Sequence, residues 1–209
     1  MTGGVEAPRV KLRADLSIVA DMVEGGSRVL DLGCGDGTLL DHLVHRKNVD
    51  GRGIELRQAG VNACVSRGLS VIQGDVDKDL EVYPDDSFDY VILTLTLPAV
   101  HRPKEVLGEL LRIGRRAVVS FPNFGFWRRR LCAAMGRVPV TDPMRHHWHD
   151  SPDIHPCTIK DFVRLCEDLA YVIERRVVLD RDGGVAGLIG RGPLANLFGE
   201  TAIFLLRKT

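Results

Sequence analysis

The run that most constrains this chain is Val29-Leu30-Asp31-Leu32-Gly33-Cys34-Gly35-Asp36-Gly37. A short apolar stretch, Ser27 to Leu32, enters it. An amphipathic helix, Thr38 to about Lys47 with Leu39, Leu40, Leu43 and Val44 inward, leaves it. Glycines at alternate positions between a strand and a helix let the backbone approach a ligand where a side chain would occupy the ligand's space. In an open α/β sheet a ligand sits beyond the carboxyl ends of the strands, and the loop after the first strand is that place. A bare glycine turn with nothing bound is the competing explanation of the loop alone.

The rest of the chain repeats the alternation. Leu12 to Glu24 is a helix with Leu12, Leu16, Val19 and Val23 on one face, ended by Gly25-Gly26. Val49 to Leu56 is a strand, Arg57 to Arg67 a helix closed by Gly68, and Leu69 to Gln73 a strand leading to Gly74-Asp75. Phe88 to Leu95 is a strand, Lys104 to Ile113 a helix, and Arg116 to Phe121 a strand stopped by Pro122. The stretch from about 123 to 157 is rich in Arg, His, Pro and Trp. It breaks the rhythm and is too long for a plain connection. Thr158 then caps a helix to Ala170 with Ile159, Phe162, Cys166 and Leu169 inward. Two strands follow, Tyr171 to Leu179 and Thr201 to Arg207, joined by turn-rich residues from Asp180 to Gly199. The pattern predicts one α/β domain over 1–209: a doubly wound, mostly parallel, Rossmann-like sheet of seven strands, with one antiparallel strand at the edge and an insertion at about 123–157.

Acidic residues mark three successive strand ends. Asp31 lies two residues before Gly33, Glu55 ends the second strand, and Asp75 follows the third. A dinucleotide site would place a pyrophosphate at a helix N-terminus through GxGxxG. Here the third glycine arrives one residue early, and a carboxylate just ahead of the loop is badly placed beside phosphate. It suits a ligand with a positive centre, an amino group and a diol. S-adenosylmethionine (SAM) has a sulfonium, an α-ammonium and a ribose diol, and no phosphate.

These residues resemble the class I SAM-dependent methyltransferases. The resemblance implies that Asp31 lies near the methionine moiety, that Gly33 and Gly35 give backbone contact, that Glu55 accepts both ribose hydroxyls, and that Asp75 accepts from the adenine amine with the Val76 amide beside it. The candidate cofactor-binding set is Asp31, Gly33, Cys34, Gly35, Glu55, Leu56, Asp75, Val76 and Thr94. Longer runs narrow the resemblance. Asp31-Leu32-Gly33-Cys34-Gly35-Asp36-Gly37-Thr38-Leu39-Leu40, Phe88-Asp89-Tyr90-Val91-Ile92-Leu93, Val119-Ser120-Phe121-Pro122-Asn123-Phe124-Gly125-Phe126-Trp127-Arg128, Gly136-Arg137-Val138-Pro139-Val140-Thr141 and Ile154-His155-Pro156-Cys157-Thr158 are similar to the methionine biosynthesis protein MetW family. That similarity runs from about Leu12 to Leu179 and implies a partner, homoserine O-acyltransferase. It implies no particular methyl acceptor. The segment Pro143 to Asp150 departs from the family's tyrosine-rich pattern.

Composition sets bounds on the alternatives. With 28 basic and 28 acidic side chains the formal charge is zero, which argues against a dedicated nucleic-acid binder. Five cysteines, an odd number without CxxC, point to reduced thiols. The residues from Met1 to Lys11 lack an apolar core for a signal peptide, and no apolar run approaches membrane-spanning length; a cytoplasmic protein is expected. His146, His147 and His149, with His155 and Cys157, lack the spacing of a closed metal set and are expected on a lid or substrate-facing loop. Arg128-Arg129-Arg130 after Phe126 and Trp127 is expected to be a solvated helix face or a patch for an acidic partner. Phe124, Phe126 and Trp127 are expected to cover the SAM site or a partner surface. Thr94 and Thr96 fall at the end of the fourth strand, either beside the presumed methyl group or, the favoured reading, as ordinary strand-end polar residues. His155 is the best base by residue type, although a buried structural histidine is the expected role. No catalytic residue is legible. The function expected is a SAM-binding protein that modulates homoserine O-acyltransferase; the alternatives are a small-molecule methyltransferase and, less favoured, one acting on RNA or protein.

Overall fold

A computed structural model describes residues 12–139, 154–186, 192 and 194–209. The alternation read from sequence appears as helix α1 (Ala14–Met22), strand β1 (Arg28–Leu32), α2 (Thr38–Lys47), β2 (Asp50–Glu55), α3 (Gln58–Ser66), β3 (Ser70–Gln73), β4 (Phe88–Thr94), α4 (Pro103–Ile113), β5 (Gly114–Pro122), α5 (Trp127–Ala134), α6 (Ile159–Asp168), β6 (Val172–Leu179), α7 (Ala195–Phe198) and β7 (Thr201–Arg207). Among the described residues, no helix is long and apolar enough to cross a membrane.

The seven strands form one sheet in the order β3-β2-β1-β4-β5-β7-β6. β1 pairs in parallel with β2 and β4, which makes the loop after β1 the switch point of the sheet. β7 is the one reversed strand, antiparallel to both β5 and β6. It is not at the edge, as expected, but one strand inside it. The physical reason lies in the side chains. Ala202 to Leu206 are all buried, so β7 needs neighbours on both sides. β6 carries exposed Glu174 and Arg175, which suit an edge.

Alternate residues of the central strands feed two cores, one on each face. Leu30, Leu32, Val91, Leu93, Val119 and Phe121 pack with α4 and α6 on one side. Val29, Tyr90, Ile92 and Val118 pack with α1 and α2 on the other. A smaller cluster, Cys34, Leu40, Cys64 and Leu69, sits beneath the glycine loop. Phe121, Phe162 and Phe204 form a buried aromatic trio with centroids 4.7–5.8 Å apart, which fixes α6 on the sheet.

The helix caps follow the local chemistry. Thr158 caps α6 through its side chain, which accepts from the Asp161 N–H at 3.1 Å. Gly68, at φ +75°, closes the chain after α3. Two short elements have no periodic signature in the sequence: a 3-10 turn at Leu97–Ala99 and the four-residue α7.

Candidate functional site

The glycine loop stands at the carboxyl end of β1 with Gly33, Gly35 and Gly37 all at positive φ. The three glycines have different reasons. A Cβ on Gly33 would lie 2.7 Å from Thr96 Oγ1, and one on Gly37 would lie 2.7 Å from Leu69. A Cβ on Gly35 would meet nothing within 4 Å. Gly33 and Gly37 are therefore small because the protein packs against them, whereas Gly35 faces open space.

The amides of this loop are turned inward. Gly33 N–H and Cys34 N–H both donate to the Ile54 carbonyl, at 2.8 and 3.2 Å. Gly35 N–H donates to the Glu55 carboxylate at 2.9 Å. The start of α2 is closed too, because Asp36 accepts from Thr38 N–H at 3.1 Å and from its hydroxyl at 2.8 Å. A phosphate-binding loop needs those amides and that helix end free. Here the Ile54 carbonyl, the Glu55 carboxylate and the Asp36 carboxylate already occupy the Gly33, Cys34, Gly35 and Thr38 N–H groups, and two buried carboxylates, Asp31 and Glu55, lie behind the loop.

Asp31, on β1 behind the loop, is 1% exposed, and neither carboxylate oxygen has a hydrogen-bond partner. Burial, helped by the nearby Glu55 carboxylate, pushes its pKa up to about 7. An orphaned buried carboxylate costs stability and calls for an explanation in function. Glu55, also buried, accepts from Gly35 N–H and, at 3.0 Å, from Arg57 N–H. Each of its oxygens keeps a second lone pair for a ligand hydroxyl. Gly60 on α3 makes this possible: a Cβ there would lie 2.7 Å from both Glu55 Cγ and the Gly35 carbonyl. The sequence reading passed over Gly60 because it falls inside a helix.

Cys34 turns its thiol away from the loop surface, 3.9 Å from the Cys64 thiol and against Gly53. Only its backbone is left to face a ligand. Leu56 is 63% exposed at the end of β2, where an apolar flat ligand would find it. Asp75 is held by a Lys78 ion pair at 2.8 Å and by Asp77 N–H, and the Lys78 hydrogen bond holds its pKa below the usual range. Such an exposed pair is weak and yields easily to a ligand amine. Val76 is half-buried against the core. Asp77, not singled out from the sequence, ties this turn to the segment after β4 by accepting from His101 and Arg102 N–H groups. Thr94 ends β4, and its carbonyl accepts the Thr96 hydroxyl that faces Gly33. Between them Leu95 takes φ +54°, its N–H held by Ser120. A non-glycine residue in that region is strained, and such strain clusters at functional sites.

A cleft of about 410 Å³ reaches Leu95, just after β4, and is lined also by Arg13, Asp15, Asp180, Arg181 and Glu200, among others. Arg13 also feels the charge of Asp36 in the glycine loop. The cleft bears charges of both signs.

Other expectations fare differently. His155 is exposed rather than buried, its backbone N–H bonded to Pro98 and its ring Nε2 at 3.2 Å from the His101 carbonyl. The three arginines do not share one solvated face. Arg129 is buried, donates to the Asn123 carbonyl at 2.7 Å, lies over the Phe124 ring, and pairs with Glu200 at 3.9 Å. Arg128 covers Trp127, and Arg130 donates to the Gly125 carbonyl. Phe126 is buried and Trp127 exposed. His146, His147 and His149 lie outside the described residues.

Comparison with known proteins places these features in a family. The family model for methionine biosynthesis protein MetW matches residues 13–206. The chain belongs to the MetW family. One curated relative, the bifunctional methionine biosynthesis protein MetXA/MetW of Rhodopirellula baltica, is 35% identical over 209 residues. That alignment covers 95% of this chain but 33% of the relative, so the chain spans about a third of that protein's length. Among solved structures, a SAM-dependent methyltransferase from Archaeoglobus fulgidus matches with a TM-score of 0.68 at 17% identity, covering 94% of this chain and 92% of that one. The cyclase SpnF matches at 0.63 with 18% identity, covering 92% and 80%. This chain thus shares its fold with a neighbour named a methyltransferase and with another named a cyclase, so the fold alone does not fix the chemistry.

Proposed function

We propose that this MetW-family chain is a cytoplasmic SAM-binding protein, with 1–209 acting as one unit, that associates with homoserine O-acyltransferase and modulates it. The observation that carries the ligand is the inward use of the Gly33, Cys34 and Gly35 amides beside the orphaned Asp31 carboxylate. Asp31 would face the positive methionine end through the loop. Gly33, Cys34 and Gly35 would supply a close backbone floor, with Glu55 on the ribose diol, Leu56 against the adenine face, and Asp75 and Val76 at the adenine edge. Thr94 would stand at the sulfonium side. SAM, when bound, supplies an electrophilic methyl group. The residues here would orient it and exclude water from it.

The partner reading rests on the bifunctional relative, whose name joins MetXA to MetW in one chain. SAM is a downstream product of methionine, so its occupancy can report supply. For it to regulate, SAM must bind the free and partner-bound protein with different affinity. Mixing the purified protein with homoserine O-acyltransferase tests this: the two associate, and acyltransferase turnover changes with SAM. If they neither associate nor alter turnover, with or without SAM, the regulatory reading fails.

A second reading is favoured by the 410 Å³ cleft that reaches Leu95 just after β4, a size suited to a small methyl acceptor. Its mixed charges, from Arg13 and Arg181 to Asp15, Asp180 and Glu200, fit a zwitterionic molecule better than a nucleic acid.

A further inference from the structure

The helix α5 follows the Phe121-Pro122-Asn123-Phe124-Gly125-Phe126 run and, among the described helices of eight or more residues, buries the fewest side chains. Of its eight residues only Arg129 is buried. Trp127, Leu131 and Met135, at positions i, i+4 and i+8, form one outward stripe and are 41%, 50% and 62% exposed, with Val138 beyond them. A helix this short, with so little apolar burial, would not persist on propensity alone.

Polar contacts hold it in place. The buried Asn123 side chain donates to the Asn196 and Gly199 carbonyls at 3.1 and 2.7 Å and accepts from Gly125 and Ile159 N–H at 2.9 and 3.2 Å. Arg129 reaches back to the Asn123 carbonyl and to Glu200. Gly125 must be glycine, since a Cβ would lie 2.6 Å from Asn196 Oδ1. The Asn123 side chain thus makes all four of its hydrogen bonds, and a buried polar group so satisfied rigidifies and specifies its surroundings. Here it fixes a helix whose outer face is apolar and open to water, an arrangement that marks an interaction surface more than a core.

Charge identifies the occupant's chemistry. Residues 123–139 contain four arginines and no acidic side chain, on a chain with zero net charge. Arg129 is turned inward, so Arg128, Arg130 and Arg137 remain as an exposed basic rim around the stripe. Arg128 lies 5.4 Å from the Trp127 ring centre, which presents the aromatic with a cation on it. Trp, Met and Arg are the residue types enriched where proteins bind one another. A two-fold contact between copies of this chain would set one basic rim against another. The partner must carry an apolar groove with an acidic rim.

We infer that the Trp127–Leu131–Met135 face of α5, with its arginine rim, is the surface on which homoserine O-acyltransferase docks. The identity of the occupant rests on the partner reading above; the location of the surface is independent of it.

The test compares the full-length wild type with the Leu131→Asp/Met135→Asp variant. Both are titrated with purified homoserine O-acyltransferase of the same organism and, separately, with SAM. The variant should bind the acyltransferase at least tenfold more weakly, bind SAM as the wild type does, and melt at the same temperature, because the face is uncovered in the free protein. A variant that binds the acyltransferase undiminished, while the wild type also binds it, overturns the surface and leaves the partner standing. A wild type that does not bind overturns both. A variant whose melting temperature falls by several degrees with partner affinity unchanged shows that the stripe is packed within the chain itself, and also overturns the proposal. So does wild-type dimerisation that the variant abolishes.

Discussion

The Glu55 carboxylate accepts the Gly35 N–H at 2.9 Å, so the acidic end of β2 holds the glycine loop in addition to the ribose-binding role proposed for it. This double use sets the first prediction. Glu55→Ala removes the proposed acceptor for the ribose diol and leaves the Gly35 and Arg57 N–H groups without their partner. SAM affinity should fall by roughly 10- to 150-fold, about 1.5–3 kcal/mol, by titration calorimetry well below the melting temperature. Unchanged affinity in the folded variant would remove Glu55 from the site.

The glycines separate packing from ligand space. Gly33→Ala puts a Cβ against Thr96 Oγ1 and also at positive φ, so it should destabilise by about 2–3 kcal/mol, and Thr96→Ala should restore only the steric share. Gly35→Ala has only the backbone strain, about 1–2 kcal/mol, since its Cβ meets nothing. It should nevertheless lose most SAM affinity, because in the proposed site the methyl group would stand where the ligand is placed. Denaturant melts and ligand titration on the two variants would show this crossed pattern. Equal effects of both changes on both readouts would refute it.

The sequence carried most of the fold and the positions of the acidic strand ends, for local reasons. α2 is bounded at Thr38 and Lys47 as read, because its apolar period starts directly after a glycine and stops before Asn48, which takes φ +53°. What was missed depends on distant partners. Asn123 draws its contacts from Asn196 and Gly199, more than seventy residues away, so a reader of the chain sees only an Asn after a Pro. α7 is too short to show a period. The inward use of the loop amides depends on where Ile54 falls against the loop, which is a matter of strand register. The inner place of β7 did have a signal, its unbroken apolar run beside the charged β6, that the edge assignment overlooked.

Asp31 predicts a pH dependence. Its folded pKa of about 7 lies above an unfolded aspartate's value of about 3.9, so between those pH values the native state holds a proton that the unfolded chain has released. The stability contribution is present below about pH 4 and is lost as pH rises through about 7, by up to roughly 4 kcal/mol. Asp31→Asn should therefore be more stable than wild type at pH 8, with the gap closing toward pH 4 in thermal melts. A cationic ligand needs the ionised carboxylate, so wild-type SAM affinity should rise through about pH 7 while that of Asp31→Asn stays flat. Parallel melting curves for the two proteins across this range would contradict the assignment.

Asn123 predicts a local collapse. Asn123→Ala strands the Gly125 and Ile159 N–H groups and two carbonyls in a buried site. A loss of about 2–4 kcal/mol is expected, with faster amide exchange in α5 and at the start of α6 before the rest of the sheet. Uniform exchange behaviour, with α5 still protected, would show that α5 is held by something else.

The central claim, that a loop with its amides turned inward and an orphaned carboxylate behind it takes SAM and not a phosphate-bearing cofactor, is tested most directly by one calorimetric titration of the wild-type protein at pH 8 with SAM and then with NAD. Saturable one-to-one binding of SAM with no heat from NAD is the predicted result. Absence of SAM binding, or NAD binding as tightly as SAM, would contradict it.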